Sequence, residues 1–203
     1  MNVAVTGGLG TGKSTVSKIF AATLATELLD ADQLCREQML PGAEGYAEFR
    51  RIFNDRYIQV DGMIDRGQLR EAVFEDPSIR IRLENILHPI VRHQVATRER
   101  ILSACGRILI VEVPLLYEAG WQDAFDICVV VYVPEKLCIQ RVVTRDGMTI
   151  EQIRKILNVQ FPIKKKLDYA DFIVDNSSTF ASTVHQIAWL SKKLKMDKKE
   201  MFT

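Results

Sequence analysis

An α/β fold, a parallel sheet covered by helices on both faces, is predicted by three observations on this chain. Five short, mostly apolar runs occur at residues 3–6, 27–29, 108–113, 127–133 and 172–174. They are too continuous to leave one face wet, the pattern of strands buried within a parallel sheet. Helical stretches separate them, so the layers alternate. The first run also ends at Gly7-Gly8 and gives way near Lys13 to a helix with Val16, Ile19, Phe20 and Leu24 on one face. In sheets of this kind ligands bind beyond the carboxyl ends of the strands.

Between the second and third strands, residues 34–106 turn helical and charged, with breaks at Pro41-Gly42, Asp61-Gly62, Asp76-Pro77 and His88-Pro89. Asp76 and Pro77 suit the N-cap and first position of a helix. The insertion is long enough for a helical subdomain. A further helix over residues 149–161 opens with Thr149 and Gln152 at capping-box spacing. The tail lysines Lys192, Lys193, Lys195, Lys198 and Lys199 read as a solvated, frayed helix end.

Composition narrows the function. The chain has 203 residues, 47% of them hydrophobic, with 27 Lys+Arg against 26 Asp+Glu for a formal charge of +1. This suits one globular domain with an insertion and gives no global basic footprint for nucleic acid. No apolar run approaches the roughly 20 residues that span a bilayer, and the first residues lack a secretory leader's basic and long apolar regions. Cys35, Cys105, Cys128 and Cys138 form no C-x-x-C pair, so a reduced, cytosolic protein without a zinc or disulfide framework is expected.

Gly7-Gly8-Leu9-Gly10-Thr11-Gly12-Lys13-Ser14 fits G-x-x-x-x-G-K-[ST] without a mismatch, between a strand and a helix where the motif belongs. The glycines let backbone N–H groups curl around phosphate oxygens, and the helix adds its positive end. Lys13 would reach the β- and γ-phosphates and Ser14 would coordinate Mg²⁺. The chain is therefore predicted to be a P-loop NTPase three-layer sandwich with a five-stranded parallel sheet. No N-K-x-D run reads guanine, and G-x-G-x-x-G fails because its third glycine falls on Lys13. Size and insertion point to small-molecule kinases.

Asp30-Ala31-Asp32 follows the second strand. One carboxylate could accept the acceptor hydroxyl's proton while the other orients Mg²⁺ through water. Equally, the pair could only cap the next helix. Glu112, inside the third strand, sits where an acid could reach the cation indirectly. Arg141 and Arg145 follow the fourth strand, four apart, and would share a helix face. Residues 141–166 carry seven Lys/Arg and two acids, a local charge of +5 suited to covering a polyphosphate. The tail from Lys192 adds +3, which leaves −7 on the remainder. Lys164, Lys165 and Lys166 read as solvated surface.

Taken in order, Thr6 to Thr15, Asp30-Ala31-Asp32, Asp61-Gly62 with Asp65-Arg66, His88-Pro89, Pro114-Leu115-Leu116-Tyr117-Glu118, Gln160 and Ala170-Asp171 resemble the dephospho-coenzyme A kinases over nearly the whole chain. Two departures stand out: Ala25-Thr26 where the family commonly carries Gly before the second strand, and the lysine triplet where it often has Glu and Arg. The resemblance implies a nucleoside-monophosphate-kinase-like enzyme. It would use ATP and Mg²⁺ to phosphorylate the ribose 3′-hydroxyl of dephospho-coenzyme A, the last step of coenzyme A synthesis. It implies Asp32 as base, Asp30 on the metal side, and Arg145 as lid arginine with Arg141 beside it. Gly8, Gly10, Thr11, Gly12, Lys13, Ser14 and Thr15 would bind nucleotide. Thr6, Asp32, Arg66, His88, Leu115 and Leu116 would face the acceptor, although His88 could merely cap a helix and Arg66 merely form a surface ion pair. The expected organisation is a nucleotide-binding core of residues 1–33, 107–140 and 167–203, an acceptor domain of 34–106 and a lid of 141–166. No nucleic acid or membrane partner is expected, and a monomer is favoured. Two other readings stay open: a kinase for another small hydroxyl or nucleotide acceptor, and an ATP-binding regulator without phosphoryl transfer.

Overall fold

Near-continuous β-branched runs need partners on both faces, and the computed structural model, which describes residues 1–200 and side chains through Met196, supplies them. Strands β1 (Asn2–Gly7), β2 (Leu28–Asp30), β3 (Leu109–Glu112), β4 (Ile127–Tyr132) and β5 (Phe172–Asp175) form one sheet, all parallel, in the order β2-β3-β1-β4-β5. All five predicted strands are present, shifted at their ends by a residue or so. The helices are α1 (Lys13–Leu24), α2 (Ala31–Gln38), α3 (Glu44–Phe53), α4 (Arg66–Glu75), α5 (Pro77–Ala104), α6 (Glu135–Asp146), α7 (Ile150–Val159), α8 (Ile163–Asp168) and α9 (Phe180–Glu200). Among the described residues, no helix is long and apolar enough to cross a membrane.

Period-two alternation sorts the strand residues. Val3, Val5, Ile110, Val129, Val131 and Val174 face one layer, where Val16, Phe20 and Leu24 of α1 and Ile187, Leu190 and Leu194 of α9 complete the core. Ala4, Leu109, Val111 and Val130 are buried on the other face, where α8 packs on β4. The sheet order turns at β1, which has β3 on one side and β4 on the other, so a crevice is expected where β1 ends.

Two compact units emerge: Met1–Asp30 together with the chain from Glu99 onward, and Ala31–Arg98. The second has its own core of Tyr46, Phe49, Phe53, Tyr57, Ile64, Ile79 and Ile86, with the Phe49 and Phe53 rings 4.8 Å apart. Asp65 caps α4 by accepting from the backbone of Gly67 and Gln68. Asp76 accepts from Ser78 N at 2.8 Å and Pro77 opens α5, as the sequence predicts. His88 caps no helix, because α5 continues through Pro89 and the proline merely removes one interior N–H. The α7 capping box forms, with Thr149 accepting from Gln152 N and Gln152 from Thr149 N. In the tail, Lys193 lies over the Phe172 and Trp189 rings, while the side chains of Lys198 and Lys199 fall outside the described residues.

The turn at Ala25-Thr26 also has a definite geometry. Ala25 adopts φ 52, ψ 49 and donates to the end of α1, and Thr26 N reaches Ala21 O at 2.9 Å. This pairing is a Schellman closure, in which glycine is the usual occupant because a Cβ in the left-handed region costs about 1–2 kcal/mol. Part of that cost is offset by glycine's freer unfolded chain. Ala25→Gly is expected to stabilise the fold by about 0.5–1 kcal/mol, seen as a rise of a few degrees in Tm by calorimetry.

Candidate active site

The phosphate loop leaves β1 at the carboxyl edge of the sheet. Its Gly8 carbonyl accepts from Thr11 Oγ1 and from Lys13 Nζ, both at 2.9 Å, so the lysine lies folded across the loop. Gly10 and Gly12 have φ 76 and 83. A Cβ at Gly10 would stand 2.8 Å from Cys138 O, and one at Gly12 would collide with Asn176 Nδ2. Torsion and contact therefore both require glycine. Helix α1 starts at Lys13 with no side-chain cap and no acid in its first turn. Its positive end is left for an anion.

Ser14 Oγ donates to Glu112 Oε1 at 2.7 Å, and Glu112 is buried. In the sheet Glu112 is in register with Asp30 of β2. Ser14, Glu112 and Asp30 thus supply oxygen donors at one corner beside the phosphate loop. Among the described residues no group of three or more His, Cys, Asp or Glu could hold a metal ion. This donor set fits Mg²⁺, which takes few protein ligands and draws the rest from phosphates and water.

Three other segments brace the loop. Leu9 N donates to Gln160 Oε1 at 3.1 Å. Asn176 Nδ2 donates to Thr11 O at 2.8 Å, while its Oδ1 accepts from Thr183 Oγ1. Arg141 donates to Asn176 O at 2.9 Å. Arg145 lies on the same helix in the last turn of α6, and its exposed guanidinium makes two 2.7 Å bonds to Asp146. Lys13, Ser14 and Thr15 all fall in the first turn of α1, with Thr15 exposed.

The wall after β3 departs from expectation. Leu115 is partly exposed, but Leu116 is fully buried and belongs to the core rather than to any accessible surface. Thr6 is likewise fully buried, and its hydroxyl donates to Pro114 O at 3.3 Å. It steadies the loop after β3 instead of reaching outward. Lys166, read as solvent-facing, is 0% exposed. It pairs with Glu118 Oε1 at 2.8 Å, because Glu118 provides the counter-charge that a composition count cannot see. Lys164 and Lys165 are exposed.

The unit Ala31–Arg98 carries the other expected residues. Asp32 is exposed in the first turn of α2. Arg66, also exposed, opens α4 directly after its Asp65 cap. His88 is half-buried in α5, and its imidazole pKa lies below the ordinary value, chiefly because burial disfavours the cation. Asn176 and the Glu118–Lys166 pair went unread in the sequence. Asn176 lies outside every motif, and Lys166 was hidden within a run of like charges.

A parallel sheet whose central strand runs into a complete phosphate loop at an uncapped helix start defines a P-loop kinase-type fold. The family profile described as dephospho-CoA kinase matches residues 1–182. The chain belongs to that family. A dephospho-CoA kinase of Desulfotalea psychrophila is 35% identical over 187 residues, covering 92% of this chain and 94% of its own. The crystal structure of TT1252 from Thermus thermophilus superposes with a TM-score of 0.80 at 27% identity, covering 96% of both chains. The dephospho-CoA kinase from Campylobacter jejuni gives a TM-score of 0.72 at 27% identity, covering 97% of this chain and 98% of that one.

Proposed function

We propose that this chain transfers the γ-phosphoryl group of ATP to the ribose 3′-hydroxyl of dephospho-coenzyme A, forming coenzyme A and ADP. The observation that carries this reading is the complete loop Gly7–Ser14, built at a bare helix start in a chain matched along almost its whole length by the dephospho-CoA kinase family. Residues 8 and 10–15 hold the nucleotide phosphates. Lys13 swings from Gly8 O to the β- and γ-oxygens. Asp32 accepts the proton of the attacking hydroxyl. Arg145, with Arg141 beside it, stabilises the charge on the transferring group. Ser14, and Asp30 and Glu112 through water, would hold Mg²⁺, which when bound offsets charge on the β- and γ-phosphates.

In this reading residues 34–106 contact the acceptor through Arg66 and His88, Asp32 reaches it from the start of α2, and Leu115 adds an apolar contact from the wall after β3. Residues 141–166 act as the lid. The enzyme works as a cytosolic monomer without nucleic acid. An assay with ATP, Mg²⁺ and a panel of hydroxyl acceptors, its products read by phosphorus NMR and mass spectrometry, tests the assignment. Phosphate on the 3′-oxygen of dephospho-coenzyme A is expected. Transfer only to another acceptor would overturn the substrate, and transfer to none would favour an ATP-binding regulator.

A further inference from the structure

Lys166 and Glu118 form a buried polar junction within the nucleotide-binding unit. Lys166 Nζ lies 2.8 Å from Glu118 Oε1 and 3.4 Å from Pro114 O. The same Glu118 oxygen accepts from Phe161 N at 2.8 Å, so it holds the backbone where α7 passes into α8. Pro114 O also accepts from Thr6 Oγ1, on the strand that feeds the phosphate loop. The residue before Phe161 is Gln160, whose Oε1 accepts from Leu9 N inside that loop. The contacts therefore close a ring from β1 through the wall after β3 to α8, and back to the loop by Gln160.

Packing stability alone is a weak reason for such a pair, because apolar residues of similar size often replace a buried ion pair without loss. The geometry offers a more specific one. The backbone N–H of Phe161 is anchored by Glu118, and Glu118 is oriented by Lys166. We infer that Glu118 and Lys166 are positioning residues: they fix Gln160 against Leu9, and so set the shape of the phosphate loop that receives the nucleotide. The inference deepens the reading of the loop as an ATP site, and it does not depend on which acceptor is phosphorylated.

ATP·Mg²⁺ affinity, read by calorimetry without acceptor, tests it in a mutant cycle. Gln160→Ala is expected to weaken binding about tenfold, the worth of one well-placed hydrogen bond. The paired change Glu118→Leu with Lys166→Met removes both charges and the Phe161 acceptor in one step. It is expected to cost a similar factor in the wild-type background and less than about twofold once Gln160→Ala is present, since residues acting through one contact are not additive. Tm measured on each variant separates this from loss of fold. Equal losses in both backgrounds would overturn the inference, as would unchanged affinity in the folded paired variant. Gln160→Ala leaves the buried pair intact, so unchanged affinity there overturns it even if the paired variant does not fold. Failure of the wild type to phosphorylate dephospho-coenzyme A would change the substrate while leaving this cycle readable.

Discussion

Asp32→Asn is expected to lower kcat by a factor of about 10² to 10⁴, the range attributed to a positioned general base, with the fold and ATP affinity retained. The substitution keeps the shape of the side chain and removes its ability to take a proton. Two roles compete for this acid. As a base it acts only while the hydroxyl attacks, so its loss appears in kcat and in single-turnover rates. As a charge in the first turn of α2 it would favour the positive end of that helix, so its loss would lower Tm slightly and leave kcat alone. Asp32 is exposed, where a substitution typically changes stability by about 0.5 kcal/mol or less, so the two outcomes are easy to separate. Near-normal turnover in a folded Asp32→Asn enzyme would remove the base assignment.

The three central strands were legible because they are buried on both faces, and continuous apolar runs such as Val129–Val131 have few other uses, while the partly buried edge strands β2 and β5 still carry short apolar runs. The phosphate loop was legible because its glycines, lysine and serine are fixed by local backbone geometry. Legibility failed where a residue's fate depends on distant partners. Lys166 sits in a basic run, but Glu118 draws it inside. Leu116 looked like a contact residue by its place after a strand, although the core claims it. Pro89 looked like a boundary, yet Ile79, Ile86 and Val91 on α5 are all buried and packing carries the helix through. Asn176 braces the loop by one amide after β5, a pattern too short to stand out in sequence.

Arg145→Ala is expected to cost about 10³- to 10⁵-fold in kcat, the range for charge-stabilising arginines in related phosphoryl transfers, while ATP affinity changes only a few-fold. The reason lies in what the guanidinium touches at rest. It occupies the last turn of α6, largely in solvent, bonded to its neighbour Asp146 and to no residue of the phosphate loop by a described hydrogen bond. An exposed pair of this kind is weak and screened, so it opposes little when a stronger anion forms nearby. An interaction made chiefly in the transition state lowers kcat and kcat/KM together when removed. Arg141 provides the contrast on the same helix. It donates to Asn176 O, and Asn176 in turn holds Thr11 O, so its loss would disturb the loop before any chemistry begins. Steady-state kinetics with a separate ATP Kd distinguish the two. An Arg145→Ala enzyme that loses only KM would behave as a ground-state contact like Arg141, and the transition-state role would then have to be assigned to another cation among residues 141–166.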